Sequence, residues 1–192
     1  MRVFLAGATG VIGIRLIPLL IADGHAVAGM TRSVAKTDQL RELGAHPVLC
    51  DVFDVEALVR AVTSFKPDAV IHQLTDLPDR LEDIGSYASR NDRIRTEGTR
   101  NLLHAAQEAG ASRFLAQSIA WRPAGRTAVI DDHEGAVLQA GGVVVRYGQF
   151  YGPGTYYEDD KPFHPRIHID EAARATPPLI QHPSGIVTIA ET

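Results

Sequence analysis

The run Gly7-Ala8-Thr9-Gly10-Val11-Ile12-Gly13 directly follows a short apolar segment and opens a helix-periodic one. Glycines at that spacing suit the holding of a pyrophosphate. One lets the chain turn sharply, one lets a phosphate approach the backbone, and one lets the helix pack tightly on the strand. The first amides of the helix, around Thr9, Val11 and Ile12, then face the phosphates. At the end of the next strand an acidic side chain would accept hydrogen bonds from the ribose hydroxyls of NAD, and none stands there. The chain instead runs Thr31-Arg32-Ser33, with Lys36 close behind. Arg32 suits a 2′-phosphate, so NADP(H) is expected ahead of NAD(H).

Other chemistry-bearing residues are read more plainly. His72 lies inside an apolar strand, as a core histidine or a catalytic base. His133 follows Asp131 and Asp132 and is expected in the polar start of a helix. His164 and His168 have the i, i+4 spacing of a helical metal pair, but Pro165 argues against a helix, and no metal site is expected. Cys50 is the only cysteine, which excludes an intrachain disulfide and fits a reducing, cytoplasmic setting. With 19 basic against 23 acidic residues, a net charge of -4 and no run of like charge, the chain offers no nucleic-acid surface. The start MRVFLAGATG passes straight into a strand and turn, unlike a secretion signal. The apolar stretch at 11–22 carries Arg15 and falls short of the roughly 20 residues that span a bilayer, so no membrane partner is expected.

These residues need elements to hold them. Short apolar runs at 2–6, 25–31, 46–50, 68–74, 113–117, 142–146 and 185–189 alternate with helix-periodic segments at 11–23, 34–43, 56–65 and 90–109. That alternation predicts an α/β fold: a doubly wound, Rossmann-type parallel sheet of about seven strands with helices on both faces. Gly24, Gly44 and Gly110 close three of the helices, while Ser33 and Asp54 are candidate N-caps. At 192 residues and 45% hydrophobic content the chain is read as a single domain, residues 1–192. Loops at 119–130 and 151–165 are expected at the carboxyl edge of the sheet, where such folds meet ligands.

Taken with Asp51-Val52 after the third strand, Gly98-Thr99-Arg100-Asn101-Leu102-Leu103, Ser118 after the fifth strand and Tyr151-Gly152-Pro153-Gly154 after the sixth, the glycine turn resembles the NAD-dependent epimerase/dehydratase family. This is the extended branch of the short-chain dehydrogenase/reductases. The likeness runs in order along nearly the whole chain, to a late strand-to-helix junction at 166–175. It implies Asp51 and Val52 at the adenine, and Gln73, Leu74 and Thr75 along the ribose and pyrophosphate. It also implies Ser118 near the nicotinamide, residues 147–151 over its far face, and a homodimer paired through long helices such as 90–109. Enzymes of that family use a Tyr as general acid/base with a Lys one helical turn later. Aligned by Glu134, the corresponding helix carries Arg126 and Ile130 in those places, and Arg95 replaces the family's Asn, so the Tyr-x-x-x-Lys pair is read as missing.

Ser118 then remains as a group that could hydrogen-bond a substrate carbonyl or merely satisfy a strand end. Tyr147 is a proton-donor candidate or a packed aromatic. Trp121 and Arg122 line a small-molecule pocket or cover the sheet edge. Two functions fit: an NADP-dependent oxidoreductase acting on a small carbonyl or hydroxyl compound, or a sensor for which the dinucleotide is a signal and the loops dock a partner.

Overall fold

The computed structural model describes residues 1–191. Strands β1 (Arg2–Ala6), β2 (Ala26–Thr31), β3 (His46–Leu49), β4 (Ala69–His72), β5 (Arg113–Ile119) and β6 (Val143–Tyr147) precede a short pair, β7 (Gln149–Tyr151) and β8 (Arg166–His168), and a final β9 (Gly185–Ile189). Seven of them form one parallel sheet in the order β3-β2-β1-β4-β5-β6-β9. This is the Rossmann-type sheet the alternation predicts. The order reverses between β1 and β4, and the crevice at their carboxyl ends is where such a sheet admits a ligand.

Both faces are covered, which is why β1 and β4 read as unbroken apolar runs. Side chains alternate between two cores. Val3 and Leu5 pack with α1 (Gly13–Ala22), α2 (Thr37–Glu42) and α7 (Ile169–Ala175), while Phe4 and Ala6 pack with α3 (Val55–Phe65), α5 (Thr99–Glu108) and α6 (Thr127–Gln139). Asp54 caps α3 by accepting the Ala57 amide at 3.0 Å. No helix among the described residues is long and apolar enough to cross a membrane.

The structure departs from the sequence reading at several points. The segment 34–43 is a 3-10 turn, Val34–Lys36, followed by α2, and the Ser33 side chain caps neither. The helix expected over 90–109 begins earlier, with α4 (Ala88–Arg93), and relaxes to π geometry over Ile94–Gly98 before α5. There the Thr99 oxygen lies 3.3 Å from the Ile94 carbonyl, five residues back. The fourth strand stops at His72, whose Nδ1 accepts the Leu74 amide in place of a strand neighbour. Ser118 lies within β5 and Tyr147 within β6, rather than beyond them. Helix α6 starts six residues before His133, so Asp131 and Asp132 face solvent and His133 is buried at the helix centre. The small parallel sheet of β7 and β8, which brackets the loop 152–165, has no counterpart in the sequence reading.

Candidate functional site

A cleft of about 1060 Å³ follows the carboxyl edge of the sheet. One end is built mainly from backbone. Gly7 has φ +85°, and a Cβ there would lie 2.6 Å from the Gln73 carbonyl carbon; at Gly13 it would lie 2.2 Å from the Gly7 oxygen. The turn closes through the Gly10 amide on the Gly7 carbonyl at 3.1 Å, and no side chain caps the start of α1. This glycine cradle fits a dinucleotide pyrophosphate.

Gly7, Thr9, Gly10, Val11 and Ile12 line this end together with Thr31, Arg32, Lys36 and Val52. Gln73, Leu74 and Thr75 continue the wall towards Ser118 and Tyr147. Two residues expected at the cofactor are not on the lining. Gly13 is packed beneath the turn, and Asp51 turns its carboxylate to the Phe53 amide at 3.0 Å. Arg32 and Lys36 are exposed at the mouth.

The other end is a polar wall in which each buried hydroxyl proton has a destination. The Ser118 hydroxyl donates to Glu134 at 2.6 Å, and the same carboxylate takes Arg146 Nε and Nη2 at 2.9 and 2.5 Å and Arg122 Nη2 at 3.0 Å. Burial works to raise the Glu134 pKa, but the bonds from Arg146 and Ser118 and the two guanidinium charges outweigh it and hold the acid below its ordinary range. The Thr176 hydroxyl donates to the Ala172 carbonyl at 2.7 Å, so Tyr147 donates to Thr176 at 2.6 Å while its oxygen receives the Gln73 amide at 3.3 Å. Burial pushes the Tyr147 hydroxyl up to about 12.

Behind this wall lies a polar chain that the sequence reading missed. The Leu74 amide donates to His72 Nδ1, so the His72 proton is on Nε2 and goes to Thr99 at 3.1 Å. Thr99 donates to His133 Nδ1 at 2.8 Å, and His133 Nε2 donates to the Gln117 carbonyl at 2.9 Å. With the single Thr99 proton on its shorter contact, His133 Nδ1, each donor of the chain has an acceptor and both rings are neutral. Burial, with Arg95 nearby, lowers both histidine pKa values.

At the family's Tyr and Lys positions, Arg126 is bound to Asp92 and Ile130 is sealed in the core. The Tyr-x-x-x-Lys spacing does occur once, at Tyr157 and Lys161, which corrects its reading as missing from the chain. It falls in the irregular loop 152–165, where no helical turn pairs the two, and the Lys161 ammonium sits 4.7 Å over the Tyr151 ring. Tyr156 and Tyr157 line the cleft from that loop, as does Trp121 from the loop after β5. His164 and His168 flank Pro165 with no helix between them, and the described residues contain no cluster of metal-ligating side chains.

A family model for NAD(P)H binding matches residues 7–130. A 3-diazoavenalumate denitrifying reductase from a Streptomyces species is 36% identical over 185 residues, which cover 83% of this chain and 60% of that protein. A 3-beta-hydroxysteroid dehydrogenase from Mycolicibacterium neoaurum is 32% identical over 120 residues, 59% of this chain and 31% of that one. The chain therefore spans less than two thirds of the length of these relatives. Among solved structures, the UDP-glucose 4-epimerase of Thermus thermophilus in complex with NAD superposes with a TM-score of 0.77 at 20% identity, covering 99% of this chain and 78% of that one. The Thermotoga maritima UDP-glucose 4-epimerase with UDP-glucose superposes at 0.81 and 16% identity, covering 99% and 77%. At such identities the likeness is one of fold.

Proposed function

The chain belongs to the NAD(P)H-binding family, and on that premise we propose that it is an NADP(H)-dependent reductase of a small substrate, one that accepts a hydride without a proton from the sheet wall. The observation that carries this reading is the contrast within one cleft between a complete glycine cradle and a wall whose hydroxyl and imidazole protons are all committed. When bound, the nicotinamide supplies the hydride. Arg32 and Lys36 favour the 2′-phosphate of NADP(H), and Gln73, Leu74 and Thr75 carry the ribose and pyrophosphate side.

In this reading Ser118 and Tyr147 shape the reacting end by hydrogen bonding. Neither is placed to titrate: the Ser118 proton is held by a carboxylate, and Tyr147 is buried and pushed far above neutral pH. Small carbonyl compounds that are already polarised suit such a wall, the alkoxide left by hydride transfer taking its proton from water in the cleft. The diazo group in the name of the Streptomyces reductase suits it too, if it reacts as a diazonium cation: the hydride forms the new C–H bond, the C–N bond breaks with its electron pair leaving on dinitrogen, and no acid is needed.

The test is NADPH oxidation over a panel of activated carbonyls and arenediazonium salts, with Tyr147→Phe and Tyr157→Phe alongside the parent. Turnover is expected for at least one acceptor, with deuterium passing from labelled NADPH to product carbon and both variants within about threefold of the parent, far from the roughly 100-fold or greater loss of a general acid. A collapse of turnover in either variant would place the acid on that tyrosine and end the reading. No turnover at all, with NADPH still bound, would favour the sensor.

A further inference from the structure

Arg95 stands on the π segment, at the position where the family's Asn is replaced, and is 8% exposed. Its Nε is buried without a hydrogen-bond partner, and the guanidinium joins none of the ion pairs among the described residues. The side chain lines the large cleft beside Ser118 and Arg126. A largely buried cation without a directly bonded counter-ion is costly, since it has lost most of its water. Asp92 and Glu134 attract it through space, but neither carboxylate is hydrogen-bonded to it. Asp92 is engaged by Arg126, and Glu134 by Arg146 and Arg122. The group Arg95, Asp92 and Arg126 therefore presents one net positive charge to the cleft. Single π turns inside α-helices frequently mark functional positions, because the extra residue re-aims the side chains around it.

We propose that Arg95 binds the carboxylate of an organic acid, fixing the substrate at the reacting end of the cleft by a planar two-point contact. A guanidinium fork matches a carboxylate in both charge and geometry, and the apolar lining from Leu77, Trp121 and Tyr156 suits the carbon skeleton of a small acid better than a bare inorganic anion. Arg95 is a binding residue in this scheme. Its role does not depend on the cofactor, because the subsite lies beyond the glycine cradle.

Calorimetry on the full chain, with and without NADPH, tests this with benzoate, benzamide and inorganic phosphate. Benzoate is expected to bind, with benzamide and phosphate at least tenfold weaker. Arg95→Gln should weaken benzoate at least tenfold while leaving NADPH affinity unchanged and the melting temperature equal or higher, because an unpaired buried charge has gone. Arg95→Lys keeps the charge without the fork and should recover little; it also serves if the Gln variant does not fold. Benzoate binding that is absent, that survives either substitution, or that is matched by benzamide or phosphate overturns the assignment. None of these results bears on NADPH turnover, so the carboxylate subsite and the reductase reading fail separately.

Discussion

The two ends of the cleft are made of different materials. The cradle at β1 and β4 is backbone and glycine, held by close approach: Gly7 to Gln73, and Gly13 to Gly7. The wall at β5, β6 and α6 is side chain, held by ion pairs and hydrogen bonds that link residues far apart in sequence. A ligand meeting the cradle replaces water on amides that no side chain caps. At the wall, among the described residues, every buried side-chain polar group but Arg95 Nε and one oxygen of Asp92 is already satisfied. The cradle is thus specialised for binding and the wall for rigidity, and substitutions should separate the two.

Glu134→Ala should have the largest effect, and on stability alone. Removing the carboxylate strands Arg146, Arg122 and Ser118, at a cost of about 3 kcal/mol, the low end for a broken buried pair because both arginines keep some contact with water. Denaturant unfolding measures the loss. NADPH affinity should stay within about twofold, and a collapse of both together would show that the two ends are not independent.

Acid should come next, acting again through the wall. His72 and His133 are held neutral by burial, with pKa values below the ordinary 6.5; His133 and Arg95 add to the lowering at His72, and Arg95 at His133, where Glu134 opposes it. Below pH 6.5 the unfolded chain takes up two protons that the folded chain refuses, so stability falls as pH falls, by up to about 2.7 kcal/mol per pH unit. Glu134, whose pKa is depressed, adds to the loss only below its ordinary 4.5. Melting temperatures from about pH 7.5 down to about pH 6, a span over which the loss stays below that of Glu134→Ala, check the slope, and His133→Gln should flatten it.

The smallest effect belongs to the cradle. Arg32→Glu should reverse the NADPH-to-NADH preference by at least about tenfold, or 1.4 kcal/mol, without shifting the melting temperature, because the side chain is exposed. An unchanged ratio would remove Arg32 from the 2′-phosphate.

This division also explains what can be read from the residues alone. The cradle is local: seven consecutive positions carry its chemistry, and apolar runs between helical segments disclose the strands that hold it. The wall is not local. His72, Thr99 and His133 are brought together by the packing of α5 and α6 on the sheet, so no spacing along the chain announces them. His133 reads as part of a polar helix start because its two acidic neighbours are adjacent in sequence, although they face solvent and it does not. The π segment is invisible for a similar reason. Its backbone is accommodated by a shift of helical register, whereas periodicity over 90–109 predicts an unbroken helix. Burial of Arg95 follows from that shift, and a charged residue in a helical pattern is ordinarily assigned to the solvent face.

The imidazole chain has a consequence for motion. Two ring protons, one on His72 and one on His133, are shut away from water between β4, β5 and the helices. They can trade places with solvent hydrogen only when α6 lifts from the sheet, and the same lift would loosen Glu134 from Ser118 and Arg146. The rate at which those protons exchange is therefore a clock set inside the protein, counting how often the rigid half of the cleft breathes open.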